Sequence, residues 1–439
     1  MSLLGALNSS VSGLIAQSAA FSNISENVAN AQTIGFKEVE TNFVDYLTTS
    51  NNVVNEPGAV VARPDYTNSV QGSVTQTANP LSMAISGRGF FAVSQPTGTL
   101  GNVTSFSPQQ YYTRAGDFQV NANGFLVNSA GLYLNGWQVN AATGAANQNA
   151  LAPIQVSQSV FNPVATSTVT LAANLPATPT AGTATAASPL SSDINVFDSL
   201  GTQHTLTLSW AQNTTNDWTV SVSAPSSTPS ALGTADVKFG PTSGNPVPSG
   251  TIGQIGSTTG GVTTAGYVAG QPAALNFSAN FGSGAQTISL DLGTYGLTNG
   301  VTQYAGTAYN LGGLTQNGAA PGSFSSVTAQ SNGAIVVNYT NGQTRTIAQV
   351  PVTTFAAPDK LQSQNGQSFT ATLLSGTPTL DVPNNNGAGN LVTSATEASN
   401  VDIATEFSHL IVAQQAYSAN AKMITAANQL LTTTIDMKQ

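Results

Sequence analysis

Two histidines, His204 and His409, are the first places to look for a general base or a metal ligand in this chain of 439 residues. Imidazole titrates nearest neutrality, but catalysis by it needs an orienting carboxylate or a nucleophile, and metal binding needs further ligands at set spacings. His204 stands in a strand-like run, Gln203-His204-Thr205-Leu206, where alternation puts it on the face of Leu206 and Leu208. His409 adjoins Leu410 in a helical stretch. No carboxylate or second histidine has ligand spacing beside either, so a structural role is expected for both. A Ser-His-Asp triad assembled from distant positions is invisible to spacing, and no nucleophile-elbow pattern supports one.

The remaining candidates are weak as well. Ser86-Gly87-Arg88-Gly89-Phe90-Phe91 lacks the Lys-Ser/Thr of a phosphate loop and leads into a strand. Arg88 therefore reads as a solvated turn residue. Arg114 and Asp117 are close enough in sequence to form a local surface pair, an interaction contributing about 0–1 kcal/mol. Asp-x-Asp calcium-loop spacing is absent, and the lack of cysteine excludes disulfides, thiolate metal sites and thiol nucleophiles. The expectation is a protein with no catalytic centre, no cofactor and no metal.

Charge narrows the classes further. Nine Lys+Arg and 18 Asp+Glu make charged residues 6% of the chain, against about 25% in ordinary domains. The net charge is −9 and the basic residues never adjoin one another. Such a chain has no patch to displace counterions from nucleic acid or to dock on anionic lipid. Membrane insertion is not expected either, because no apolar run approaches the roughly 18 residues of a spanning helix. The first basic residue is Lys37, so the positive n-region of a secretory signal is missing. The composition is polar, uncharged and rich in glycine, which looks extracellular and implies a specialised export route.

Helix-forming sequence is concentrated at the two ends. The glutamates are Glu26, Glu38, Glu40, Glu56, Glu397 and Glu406, with none between 57 and 396. Near the N-terminus Leu7, Leu14, Phe21 and Val28 recur in heptads, with Leu3, Leu4, Val11 and Ile24 on adjacent turns. Towards the C-terminus Ile403, Leu410, Tyr417, Ile424 and Leu431 form a second heptad series. Phe407, Ala421 and Ile435 lie between or beyond them, and Ser399 with Asp402 has capping-box spacing. Two amphipathic helices follow. They pack either on a globular core or, on the sharper reading, against each other and neighbouring subunits as a coiled coil. On that reading Leu7, Val11, Leu14, Phe21 and Val28, with Ile403, Phe407, Leu410, Tyr417, Ile424 and Leu431, are the assembly residues.

The centre reads as β throughout. Asn-Gly pairs begin at Asn123, Asn135, Asn299, Asn332, Asn341 and Asn365, and Asn-Gly suits tight turns with positive φ. Phe118, Val120, Phe125 and Val127 alternate around the first, and Ile335, Val337, Tyr339, Thr344 and Thr346 around the Asn341 turn. Residues 176–192 and 225–270, rich in Pro, Gly, Ser, Thr and Ala, read as loops or linkers at the edge of an inserted domain.

The run Asn27-Val-Ala-Asn30-Ala-Gln-Thr33-Ile-Gly35-Phe36-Lys37 resembles the N-terminal signature of bacterial flagellar rod and hook proteins. Its residues also carry a physical sense: Asn30 can end a helix, Gly35 permits a reversal, and Phe36 can anchor the turn in a core. Asn79–Val93, Tyr111–Trp137 and Glu397–Ile424 are similar to further family motifs, and Asn195–Trp210 to the start of the hook's outer domain. Ser82 and Gln415 depart from the family's usual Asp and Arg, both removing charge. The length and the Asn195–Trp210 segment favour hook over rod. A distal rod or hook-associated protein is the alternative, with a secreted β-rich adhesin or carbohydrate-active enzyme behind it.

The resemblance implies a mainly β, multidomain fold with α-helical termini. Residues 1–30 with 400–439 would pair as a coiled coil, and 31–70 with 355–399 would connect. An inner β-rich domain would comprise 71–145 with 314–399, overlapping the connecting segment, and 146–313 would form an inserted β-rich outer domain. It further implies a homopolymer that meets the flagellar rod, hook cap and hook-filament junction proteins. It would lie outside the cell and leave it through the flagellar type III export apparatus without a cleaved signal.

Overall fold

Asp402 starts the C-terminal helix. Its Oδ1 accepts the N–H groups of Ala404 (2.8 Å) and Thr405 (3.2 Å), satisfying donors that the first turn leaves free. Helix α2 (Ile403–Asp436) thus begins just after Asp402. Ser399, expected as the cap, instead accepts the Val401 N–H at 3.3 Å. The computed structural model describes residues 3–50, 55–100, 103–140 and 143–437. Helix α1 (Leu3–Ala29) ends where the Asn30 N–H and side-chain amide both bond the Glu26 carbonyl, each at 3.0 Å. The chain then reverses through Gly35 at φ +70, where an added Cβ would lie 2.4 Å from the Ala115 nitrogen. Phe36 is buried beyond it.

The two helices pair antiparallel. Gly13 faces Asn420, and Asn27 donates to the Glu406 carboxylate at 3.2 Å. Both pairs fit one register, which sets Ala20 opposite Ala413. A Cβ on Gly13 would come within 2.8 Å of the Asn420 amide, so small residues permit this approach. The seam is therefore built from Ala16, Ala20, Ile24, Ala413 and Ala427, all buried. The large heptad residues do not fill it. At 3.6 residues per turn, Leu7, Leu14, Phe21 and Val28 fall on one shoulder of α1, while Leu410, Tyr417 and Ile424 flank the seam on α2. Phe21 and Tyr417 meet edge to face there, with centroids 6.2 Å apart. Val11, Ile403, Phe407 and Leu431 are exposed. The side chains of Leu3, Leu4 and Ile435 lie outside the described residues.

A hairpin of β1 (Val39–Ser50) and β2 (Asn55–Tyr66) covers the far side of α1. Polar side chains fasten it. Asn8 donates to the Gly58 carbonyl (2.8 Å), Ser12 accepts the Val60 N–H (3.1 Å), and Asn23 donates to Thr41 (2.9 Å). Asn27 exchanges two hydrogen bonds with the Val39 backbone, both 3.0 Å. Residues 39–50 and 55–66, expected to be part of a connecting segment, thus form a long ribbon.

The same compact unit, 1–158 with 325–338 and 344–439, contains the inner β-structure. Its large sheet interleaves two passes of the chain. Tyr133–Val139, Phe90–Ser94 and Tyr111–Thr113 come from the first, flanked by Ala334–Tyr339 and Thr344–Gln349 on one side and Ser368–Thr370 on the other. Phe90 sits centrally, edge to face with Phe355 (6.0 Å) and Phe369 (5.7 Å). The Asn341 turn forms as expected, with Gly342 at φ +77. Asn135-Gly136 does not turn. It lies within Tyr133–Val139, and Asn135 is buried with its amide donating to Ser94 at 2.8 Å.

The second unit is 159–324 with 339–343. Compared with the expected 146–313, it starts later, because Ala146–Pro153 pairs with Tyr133–Val139 in the first unit. Two sheets share its core. One is an antiparallel five-stranded meander (Leu190–Phe197, Gln203–Thr214, Asp217–Ser223, Ala231–Phe239, Ile252–Gly260). The other centres on Thr168–Pro176, parallel to Ala285–Thr294 and Val301–Tyr304. Trp210, Trp218, Leu208 and Val220 of the meander meet Val169, Leu171, Phe277 and Leu290 in one cluster. Two meander strands fall within 225–270, read above as loop. Leu232, Ala235, Val237 and Phe239 are buried there, an alternation hidden among small residues.

This core is self-contained, so residues 159–324 expressed alone should melt in one cooperative transition with a β-type circular dichroism spectrum. A coil-like, non-cooperative fragment would show that the unit needs the rest of the chain.

Candidate functional site

Three ions meet in the interior of the first unit. Lys37 Nζ lies 2.6 Å from Glu397 Oε1, and Arg114 Nη1 lies 3.0 Å from Glu397 Oε2. All three side chains are essentially inaccessible to water. Such burial is costly unless the groups are paired and hydrogen-bonded, and here the bonds are numerous. Glu397 Oε1 also accepts the Gly72 N–H at 2.9 Å. Lys37 donates to the Val70 carbonyl. Arg114 donates to the carbonyls of Ile85 (3.1 Å) and Gly87 (2.8 Å), with its guanidinium 5.2 Å from the Phe90 ring centroid. Burial pushes the Lys37 and Arg114 pKa values down, and the Glu397 charge works against that push. The Arg114–Asp117 surface pair expected from sequence does not form: Asp117 instead accepts the Ser129 N–H at 3.1 Å.

A second, acidic group lies where α1, β1 and α2 converge. Glu406 is buried and held by Asn27, with His409 Nδ1 at 3.6 Å. The Glu38 carboxyl hydrogen-bonds that of Glu406, and its pKa is raised to about 7 by burial, by that bond and by the charges of Glu406, Glu40 and Asp402.

His204 has more company than its sequence neighbours indicated. Its Nε2 lies 3.3 Å from Asp198, its Nδ1 2.9 Å from Ser226 Oγ, and its ring stacks on Phe281 at 4.1 Å. Burial works to raise the Asp198 pKa, but the Thr202 N–H, His204 and the Leu200 N–H outweigh it and hold the carboxylate below its usual value. The carboxylate also caps the 198–202 turn through the Leu200 and Thr202 N–H groups. The group thus closes a turn against a strand. Among the described residues no set of three His, Asp or Glu side chains is arranged to hold a metal, and no helix is long and apolar enough to cross a membrane.

Of the signature residues, Asn27 joins α1 to β1 and α2, Asn30 and Gly35 end the helix and turn the chain, Phe36 is buried, and Lys37 enters the ion cluster. The expected assembly residues are brought together only in part, as a shoulder beside the helix seam. Sequence reasoning missed Glu397 and Arg114 as partners, and Glu406. A signal was present: in a chain so poor in charge, an ion set among uncharged neighbours invites the question of what pairs with it.

Four family models match this chain in order. Flagella basal body rod protein covers 7–37, the flagellar hook protein FlgE/F/G D1 domain 84–173, the flagellar basal body protein FlaE D2 domain 165–319, and the flagellar basal body rod FlgEFG protein C-terminal 392–437. Lys37, Arg114 and Glu397 fall in three different matches, so the ion cluster ties them together. These matches define an axial protein of the flagellar rod and hook class. The flagellar hook protein FlgE of Brucella abortus biovar 1 is 31% identical over 440 residues, covering 100% of both chains. The FlgE proteins of Salmonella typhimurium and Escherichia coli K12 are each 29% identical, covering 98% and 99% of this chain. The chain belongs to the flagellar hook protein family.

Two measurements check the site. Glu397→Gln leaves Lys37 and Arg114 buried without a counter-charge, and should cost the first unit about 3–5 kcal/mol, read as a lowered urea midpoint for that unit. A loss below 1 kcal/mol would show the cluster to be incidental. For Glu38, the folded chain keeps a proton between pH 4.5 and about 7 that the unfolded chain has lost. Stability from this group is therefore full below pH 4.5 and declines as pH rises through about 7. Relative to wild type, Glu406→Gln should flatten that decline in the thermal midpoint. An unchanged slope would show that Glu406 does not help to raise the Glu38 pKa.

Proposed function

We propose that copies of this chain polymerise through the apolar shoulder of their paired terminal helices into the hook, the curved, flexible extracellular tube that passes motor torque to the filament. The observation that carries this reading is the apolar surface left open on α1 and α2. Ile15 is 68% exposed, Phe407 51%, Ile411 54% and Val412 63%, on helices whose seam is already closed by small residues. Large apolar side chains left open to water on paired helices mark an interaction site. Identical subunits joined head to tail by a rotation that does not close form an open helical polymer. The curated hook proteins match along the whole chain, outer unit included, which favours hook over the shorter rod proteins. The family extends the reading to the rod, the hook cap, the junction proteins and the type III export apparatus, through which a chain without disulfides would pass with no cleaved signal.

Phe407→Asp with Ile411→Asp should abolish polymerisation while leaving the monomer's melting temperature within a few degrees, because both side chains are more than half exposed. Normal tubes from this variant would rule out the shoulder as the contact.

A further inference from the structure

The turn between Ser368–Thr370 and Thr379–Asp381 carries two leucines that nothing among the described residues covers. Leu373 is 103% exposed and Leu374 77%. Adjacent leucines on a slack loop can fold back onto the protein, but this turn is locked. The Thr372 N–H donates to Ser375 Oγ (2.9 Å), and the Ser375 N–H to Thr372 Oγ1 (3.1 Å). Ser375 Oγ donates to the Thr372 carbonyl (2.9 Å), and Thr372 Oγ1 to that of Lys360 (2.7 Å). Ser375 itself is fully buried. The leucines stand out as a rigid knob. Beside them Lys360 is exposed, and its neighbour Asp359 is turned to Ser69, accepting from its N–H (2.7 Å) and its hydroxyl (2.9 Å).

A groove of about 330 Å³ opens in the same unit between α1, β1 and α2. Ala20, Ile24, Val412 and Ala413 give it an apolar lining, and Glu40 and Glu406 line it as well. The charges of Glu406, Glu40 and Asp402 act together on Glu38 there. Apolar floor and acidic edge match an apolar knob with an ammonium beside it. The knob is uncovered among the described residues of its own chain, so the complement must come from another.

We propose that the Leu373–Leu374 knob seats in this groove of a second copy, with Lys360 against the acidic edge. Knob and groove are different surfaces of one chain, so the contact is heterologous and repeats without closing. The proposal rests on the assembly reading above and names a specific contact within it.

A benzophenone side chain installed at Leu374, in polymer grown from a mixture of unlabelled and ¹⁵N-labelled full-length chains, tests it. The expected crosslinks join position 374 to peptides containing residues 17–43 or 406–413 of the other label. Leu373→Ser with Leu374→Ser should raise the critical concentration for polymerisation at least about tenfold and leave the monomer's melting temperature unchanged. Crosslinks to other segments, crosslinks confined to one copy, or an unchanged critical concentration would overturn the seat while leaving assembly itself intact. Failure of the unmodified chain to polymerise would overturn the assembly reading and the seat with it.

Discussion

Glu397 bonds at once to Lys37 and Arg114, partners 360 and 283 residues away in sequence. Both terminal helices leave the β-structure beside that contact. Lys37 follows directly from the turn that ends α1, and the Gly35 N–H donates to the Glu397 carbonyl at 2.8 Å. Glu397 ends a short strand that pairs with Val74–Gln76 and leads into α2. Arg114 directly follows the sheet strand Tyr111–Thr113. One carboxylate therefore sets where both helices leave the β-structure. Since an unpaired ion at this depth is so unfavourable, the geometry is specified and not merely permitted.

From that junction the helices run together along a seam built mostly of small side chains. Glycine and alanine let the backbones approach, and the polar face of α1, with Asn8, Ser12, Asn23 and Asn27, is used to hold the β1–β2 ribbon. Ile24 apart, the large apolar and aromatic residues of the heptads are displaced to the shoulder. A pair of helices alone has little reason to display them, because exposed apolar surface is unfavourable in water. The proposed polymerisation supplies the reason. The same arrangement fits the sparse charge: a surface meant to be buried between many copies has few places for ions.

How much of this was legible depended on the distance over which each feature acts. Heptad periodicity located both helices, and Asn341-Gly342 located its hairpin, since both signals are local. The seam was misassigned because the search was for bulky apolar residues, whereas Ala20, Ala413 and Gly13 close it by being small. The strands within 225–270 were hidden because Gly, Ser and Thr dilute the alternation of Leu232, Ala235, Val237 and Phe239. Asn135-Gly136 misled in the opposite direction: a turn-forming pair was overridden by burial and a hydrogen bond to Ser94. The ion cluster was beyond local reading altogether. The family signatures contained all three of its members without indicating that they touch.

The account stands or falls on what covers the helical shoulder in the assembled state, and a cryo-EM reconstruction of polymer grown from the full-length chain measures it directly. The account predicts a helical tube in which α1 and α2 remain paired, with Leu7, Leu14, Phe407 and Ile411 buried against neighbouring copies and the Glu397 cluster intact in every subunit. A polymer held by contacts elsewhere, with that shoulder facing solvent, would contradict it.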